Sequence, residues 1–398
     1  MSHFESSRIR FVEFNVENLF ILLDHYRPAS DPHPSLISEE RWRKLSSSTT
    51  PNKPIHQVRQ LAAAITDLNP DIVMLCEVGG RESLENFSHY FLNNQYSAHL
   101  IEGNSNRGID LGYLVRRTLP YNFDLLSHKH RHIDFLYPHE LQSKETGYKH
   151  LGSARRTSHK FSRDVLELRA FANEAQNATQ NDAELVTPEF IVLLVHLKSQ
   201  LDRERIDPNG RDRRRAELEK LVKIYNEINH EFEGRVPVLM TGDFNGVAAR
   251  GLVAAAAAGI SASSVDNSVV AGAAGGDGAL SPSGVLTTSV DPEFEALYRD
   301  SDLEDCLELA GVFRDERMTY MQFYNKRPPI NKQLDYIFVP SSLASRVNSS
   351  ETWVFRYKDD QGLTLLLPRS LNEKRLLPSD HYPVVLTLDP IFSKVTDG

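Results

Sequence analysis

Only two cysteines, Cys76 and Cys306, occur in 398 residues, so no disulfide framework can brace this chain. Cys76 falls inside an apolar run and reads as a buried thiol. Basic residues do not dominate either. The 45 Lys and Arg against 54 Asp and Glu leave a net charge of −9, which argues against broad electrostatic adhesion to nucleic acid but not against a local basic groove. No apolar run is long enough to span a bilayer, and residues 1–10 lack the apolar core of a secretory signal. These absences make a soluble, cytoplasmic protein the expectation. A hydrophobic content of 40% is enough for a sizeable core, and the length allows one large domain or two.

What is present is a series of strands ending in acids, amides and imidazoles. In Val236-Pro237-Val238-Leu239-Met240-Thr241-Gly242-Asp243-Phe244-Asn245-Gly246 an apolar run reads as a buried strand that breaks at Gly242. Residues i and i+2 of a strand share a face, so Asp243 and Asn245 can reach one ligand together. Gly, Asp and Asn also favour turns, and a plain turn satisfies this motif taken alone. Chemistry gains ground from the number of other strand ends that finish the same way.

Residues 10–20 alternate as a strand that presents Asn15 and Glu17 on one face. Residues 24–53, rich in Pro, Ser and Asp, read as a long loop with a short helix near 39–45, and loops of that length are usually functional or disordered. The apolar spacing Val58, Leu61, Ala62, Ile65, Leu68 predicts a helix over 55–68, stopped by Asn69-Pro70. The run over 71–80 is a strand buried on both faces and ending in Glu77, and 83–93 is helical. A strand over 107–115 carries Asp110 near its start.

Residues 120–160 are basic and irregular, with six histidines. His128-x-His130-x-His132 can ligate a metal, but without cysteine or a paired carboxylate pattern a solvated basic loop is the plainer reading. Strands follow over 161–170 and 190–199, the second ending in His196, with a polar hairpin-like link over 173–184 between them. The arginine-dense 203–215 leads into a helix over 213–229. Residues 251–290 form an Ala/Gly/Ser tract that cannot bury enough surface to fold alone, and read as a flexible insertion. Residues 294–310 are predicted helical, 333–340 a strand headed by Asp335, 352–357 a hairpin arm, and Asp380-His381 stand just before a terminal strand.

Together these ends supply oxygen ligands without cysteine, a set that suits a hard cation, Mg²⁺ or Mn²⁺, held partly by substrate phosphate. Histidines paired with carboxylates serve as oriented acids or bases. The combination points to water attack on a phosphate ester. No nucleophile with its own partnered base stands out, which disfavours a covalent route.

The ordered series Phe14-Asn15-Val16-Glu17-Asn18-Leu19, Leu75-Cys76-Glu77-Val78, Arg107-Gly108-Ile109-Asp110, Val195-His196-Leu197-Lys198-Ser199, Gly242-Asp243-Phe244-Asn245, Leu334-Asp335-Tyr336-Ile337 and Ser379-Asp380-His381-Tyr382-Pro383-Val384 resembles the endonuclease/exonuclease/phosphatase superfamily, whose best-known member is DNase I. The bacterial branch with Arg-Gly-Ile-Asp and His-Leu-Lys-Ser is the most similar. The resemblance implies an α/β fold, a four-layer sandwich of two packed mixed sheets flanked by helices, formed by 1–398 as a single domain. It implies that Glu77 is the principal metal carboxylate, with Asn15, Glu17 and Asp380 beside it. Asp243 would orient or deprotonate the attacking water, and Asn245 would hold the scissile phosphate. His381, oriented by Asp335, would contact that phosphate. His196 would act beside them with Asp110 placed to orient it, and Arg163 would approach phosphate.

Two departures narrow the substrate. The strand of His196 lacks the tyrosine of apurinic endonucleases, and Gln333-Leu334-Asp335-Tyr336 stands where inositol phosphatases carry Trp-Cys-Asp-Arg. The 251–290 insertion follows directly on the Asp-x-Asn strand and lies over the site or beside it. Nucleic acid is the expected substrate, with 203–215 and 128–160 able to track a phosphate backbone. A phospholipid or small phosphorylated metabolite is the alternative. The completeness of the acid and imidazole set disfavours a third reading, a non-catalytic binding relative.

Overall fold

Two strand–helix–strand units set the architecture, seen in a computed structural model that describes residues 3–142, 158–173, 187–202, 204–248, 291–324, 327–359 and 361–390. After a short α1 (His3–Ser6), β1 (Ile9–Leu19) leads through α2 (Glu39–Trp42) and α3 (Ile55–Leu68) to β2 (Ile72–Val78), which pairs parallel with β1. A helix α4 (Gly80–Phe91) and strands β3 (Tyr96–Leu100) and β4 (Asp110–Arg116) follow. The second unit begins with β5 (Tyr121–Ser127), α5 (Pro138–Gln142) and β6 (Val165–Ala172). It then runs from β7 (Phe190–His196) through α6 (Arg211–Glu231) to β8 (Val238–Asp243), parallel with β7. The chain closes with β9 (Leu303–Asp305), a hairpin β10 (Tyr320–Tyr324) and β11 (Arg327–Lys332), then β12 (Asp335–Pro340), β13 (Trp353–Val354) and β14 (Val384–Leu388).

The strands form two six-stranded mixed sheets, ordered β13-β14-β1-β2-β4-β3 and β5-β6-β7-β8-β12-β9. Alternation along β7 shows how they stack. Val192 and Leu194 join the core shared with the first sheet, while Ile191, Leu193 and Val195 pack against Leu218, Leu221, Val222 and Tyr225 of α6. On the first sheet, α4 packs against β3 and β4, and α3 against α4. The fold is therefore the four-layer DNase I-like sandwich that the motif series implied.

Local chemistry accounts for the main elements. Helix α3 buries Val58, Leu61, Ile65 and Leu68 on one face, worth about 1.5–3 kcal/mol for each large side chain removed from water. It stops where Asn69 turns left-handed at φ 47° and its N–H caps the Ile65 carbonyl. Between the sheets, the Tyr113 hydroxyl lies 2.8 Å from the Leu166 carbonyl and 2.9 Å from that of Val192, and the buried Cys76 thiol donates to Val195 O at 3.3 Å.

Some expectations are corrected. Residues 121–127 are not irregular but strand β5, whose Tyr121, Phe123 and Leu125 alternate toward the core. The strand predicted from 161 begins only at Val165. The helix predicted over 294–310 is broken. Glu295–Asp300 and Cys306–Leu309 are helical, and between them Leu303–Asp305 pairs with β12 as an edge strand, because Asp305 prefers to cap Leu307 N (3.0 Å) over continuing a helix. The loop read over 24–53 does carry its short helix, Glu39–Trp42, and is anchored by the fully buried Trp42, whose indole N–H donates to Lys53 O at 2.8 Å. Hairpin β10–β11 was not anticipated. The polar link over 173–184 and the 251–290 insertion lie outside the described residues, apart from Asn173.

Candidate active site

The site follows from the direction of the strands. Asn15 and Glu77 stand at the C-terminal ends of the parallel pair β1–β2, and His196 and Asp243 at those of β7–β8. Strand β12 runs antiparallel to β8 and sets Asp335 opposite Asp243. Strand β14 runs antiparallel to β1, so the residues that precede it, Asp380 and His381, arrive at the same edge. The face that carries Leu239 and Ile337 into the core between the sheets also carries Asp243 and Asp335. The upper rim of an apolar core thus becomes the floor of a cavity of about 660 Å³.

Asp243 is the hub. Its carboxylate accepts from Asn15 Nδ2 at 3.0 Å and from the Asn245 backbone N–H at 2.9 Å, with His196 Nε2 3.5 Å away. Burial, reinforced by the Asp335 charge, raises its pKa to about 7, against the pull of His381. Burial alone would strip the proton from His381. The charges of Asp335 and Asp380 and the 2.7 Å Asp335–His381 hydrogen bond outweigh it, and the imidazole titrates well above its ordinary value. His196 moves the other way. Burial, then the positive charges of Arg163, His381 and Arg107, keep it neutral. The site therefore holds one cationic and one neutral imidazole around a carboxylate that can exchange a proton near neutrality.

A second group gathers at the first sheet. Glu17, Glu77 and Asp380 line the cavity, and burial, then the Asp380 charge, with a smaller push from Glu77 against the pull of Lys53, raise the pKa of Glu17. Lys53 Nζ donates to Glu17 O at 2.8 Å, and Lys374 Nζ lies 3.4 Å from Asp380. Two lysines facing three crowded carboxylates leave an excess of negative charge that suits a divalent cation, and the donors are the oxygens a hard cation prefers. Asn15 bridges the two groups. Its amide N–H₂ holds Asp243, and its carbonyl accepts the Glu17 N–H at 3.0 Å. Asp243, Asp335 and His381 also lie within 4.8 Å of one another. There, however, the inner imidazole nitrogen is already taken by Asp335, which fits a proton-handling triad better than a cation site.

Backbone strain marks the same place. Glu17, Glu77 and Asn245 all have positive φ (47°, 66° and 51°), a conformation that costs a non-glycine residue about 1–3 kcal/mol and gathers at functional sites. Gly242, at φ 133°, is obligatory, since a Cβ there would meet Val195 O at 1.9 Å.

Ten of the eleven residues singled out in the sequence line this cavity or sit in its floor: Asn15, Glu17, Glu77, Arg163, His196, Asp243, Asn245, Asp335, Asp380 and His381. Asp110 does not join them. It is not among the residues that line the cavity, and its carboxylate lies at Gly103, beside the Arg163 backbone. Its carboxylate accepts the Gly103 N–H at 2.8 Å and braces that loop. The histidine row is not a metal triad among the described residues: His128 pairs with Glu167 at 2.8 Å and His132 with Ser158 O at 2.6 Å. The sequence reading missed the hairpin wall. Tyr320, Gln322 and Tyr324, at alternate positions on β10, line the cavity together with Lys332 and Arg107. The Tyr320 ring lies 4.9 Å from that of His381. A period-two run of aromatic and amide side chains was the available signal. The described ends of the insertion meet at the rim, where the Asp291 carboxylate accepts the Val247 N–H at 2.8 Å.

Deeper still, Glu13 is fully buried on β1 with neither carboxyl oxygen hydrogen bonded, and burial, then the charges of Asp335 and Asp243, push its pKa well up. It is a neutral acid under the site.

No family model matches the chain, and no curated protein matches it. Solved structures do. It is similar to the D. rerio TDP2 complexed with single-strand DNA product (12% identity, 96% of this chain and 100% of that one, TM-score 0.47). It is also similar to the human Nocturnin catalytic domain with bound sulfate anion (13%, 96% and 92%, 0.48). The third is the endonuclease/exonuclease/phosphatase from Bacteroides vulgatus (15%, 97% and 100%, 0.47). At these scores the chemistry rests on the site's own geometry. Among the described residues no helix is long and apolar enough to cross a membrane.

Proposed function

We propose that the chain is a metal-dependent phosphodiesterase of the endonuclease/exonuclease/phosphatase type that hydrolyses nucleic acid, and that 1–398 act as one domain. The observation that carries the reading is Asp243, able to gain and lose a proton near neutral pH, fixed between Asn15 and the Asp335–His381 pair on a cavity floor. Asp243 accepts the proton of the attacking water. The cationic His381 faces the scissile phosphate and stabilises its growing negative charge, while Asp335 holds the ring in place. Asn245 Nδ2, which gives one hydrogen to Leu197 O at 3.1 Å, has a second to offer a phosphate oxygen. Neutral His196 and Arg163 complete the oxyanion side. Glu77, Glu17 and Asp380, with a lone pair of Asn15, would hold Mg²⁺ or Mn²⁺, which when bound neutralises charge on the phosphate. The Arg-Gly-Ile-Asp and His-Leu-Lys-Ser motifs support the bacterial branch, and two buried free thiols, Cys76 and Cys306, support a cytoplasmic location.

The test is turnover of plasmid, single-stranded DNA and RNA with Mg²⁺ or Mn²⁺, lost with EDTA and in Asp243→Ala and His381→Ala. Failure to cleave any nucleic acid, alongside release from lipid or monoester substrates, would sink the nuclease reading. One observation favours that second substrate class. Leu363, Leu366 and Leu376 are 63%, 80% and 68% exposed on the segment leading to Asp380, an apolar edge suited to lipid.

A further inference from the structure

A second cavity, of about 450 Å³, shares Arg107, Arg163, Ser199 and Leu201 with the catalytic one, so the two are neighbours across a common wall. Arg163 is that wall's charge. It is nine-tenths buried, its guanidinium donates only to Ser162 Oγ at 3.3 Å and Leu197 O at 3.4 Å, and among the described residues no carboxylate lies within ion-pair distance. A buried, unneutralised guanidinium is costly unless an anion completes it. Lys198 faces the same cavity. Its ammonium donates to the carbonyls of Ser199 and Leu201 at 3.1 and 2.8 Å, which leaves one N–H for an anion, and among the described residues no carboxylate lies within ion-pair distance of it. Burial, then the nearby Arg163, lower the pKa of Lys198 against the pull of Glu217 and Asp207.

The opposite side of this cavity is aromatic. The buried Tyr137 ring stacks on the exposed His139 ring at 5.8 Å and 11°. The platform is braced, because Glu140 accepts both the Tyr137 N–H at 2.7 Å and the His159 imidazole at 2.8 Å, and His159 packs edge-on to Tyr137. Glu140, Asp202, Glu204 and Asp207 also line the cavity, but Glu140, Asp202 and Asp207 are held by backbone N–H groups, so cations on one wall and a flat ring on the other match a nucleotide: a phosphate for the first, a base for the second.

We propose that this cavity seats a flanking nucleotide of the polynucleotide whose scissile phosphate lies on Asp243 and His381, its phosphate on Arg163, Arg107 and Lys198 and its base on the His139 ring. The proposal rests on the phosphodiesterase reading and adds that the substrate must extend beyond the reacting diester. A free phosphorylated metabolite or a lipid headgroup has no second unit to place there.

The test compares bis(p-nitrophenyl) phosphate with single-stranded deoxyoligonucleotides on wild type, Lys198→Ala and His139→Ala. For the small diester, kcat/KM should stay within twofold in both variants. For the oligonucleotide, KM should rise about tenfold in each with kcat held within twofold, and in Lys198→Ala the salt dependence of log KM should lose about one unit of slope. His139 is exposed, so its variant reads binding and not folding. Equal effects on both substrates, or none on the oligonucleotide, would overturn the proposal. Should wild type hydrolyse no diester, the phosphodiesterase reading fails instead. Anisotropy of a labelled oligothymidine still decides the cavity, because an affinity unchanged in both variants removes the subsite.

Discussion

Asp335 Oδ2 and His381 Nδ1 stand 2.7 Å apart with both residues buried, which fixes the imidazole by its inner nitrogen while the ring borders the cavity. The contact joins the head of β12 to the segment before β14, so one hydrogen bond both closes the two sheets and sets a ring. Asp335→Asn keeps the shape but weakens the charge that holds the proton. A fall in kcat of roughly 10²–10⁴-fold is expected. A loss below tenfold would mean that the pair is structural.

The two histidines of the site should titrate on opposite sides of the ordinary value. His381 is charged in the fold beyond its unfolded pKa, so its stabilising contribution is complete below about pH 6.5 and fades as pH rises through the higher folded value. His196 resists protonation, so it costs stability as pH falls below about 6.5. Ring-proton NMR on metal-free protein should show one histidine titrating well above the ordinary value and another well below it. Coincident midpoints would contradict the reversed environments.

Chelation should abolish turnover, and Mg²⁺ or Mn²⁺ should restore it. Glu77→Gln removes one negative charge from the crowded acidic wall and should raise the half-saturating metal concentration about tenfold or more. If the metal requirement were unchanged, the cation would sit elsewhere, and the trio Asp243, Asp335 and His381 would be the next place to look.

The Arg214–Glu293 pair, 3% and 0% exposed, joins α6 to the segment after the insertion, and Arg214 also donates to the Lys198 and Asn209 carbonyls at 3.1 and 2.9 Å. Removing one partner leaves a buried charge alone, so Arg214→Ala should lose about 3–5 kcal/mol in urea unfolding. Arg214→Met with Glu293→Leu should recover most of that loss. A deficit in the double variant as large as in the single would show that the carbonyl contacts dominate.

Strand ends were readable from the chain because each is a local event, an apolar run that meets a polar residue, and ten candidate side chains do converge. The exceptions are places where the cause is not local. Asp110 carries the right motif, but its carboxylate is taken by the Gly103 N–H, a contact made by the chain's path before β4. Lys53 supports Glu17 from a loop whose anchor, Trp42, gives no such hint in the sequence. Strand β11 reads Arg-Pro-Pro-Ile-Asn-Lys, and two prolines argue against a strand unless it lies at an edge, as it does in a two-stranded hairpin. Glu13 follows the alternation of β1 like any buried position, and only the neighbouring strands reveal the charges it meets.

Strand β14, residues 384–388, lies between β13 and β1 and is the last of the described strands, yet it pairs directly with the first. Until β14 pairs, Asn15, Glu77, His196 and Asp243 stand without His381, and β1 lacks a partner on one edge. The cationic imidazole of the cavity is thus set only when the first and last described strands have met.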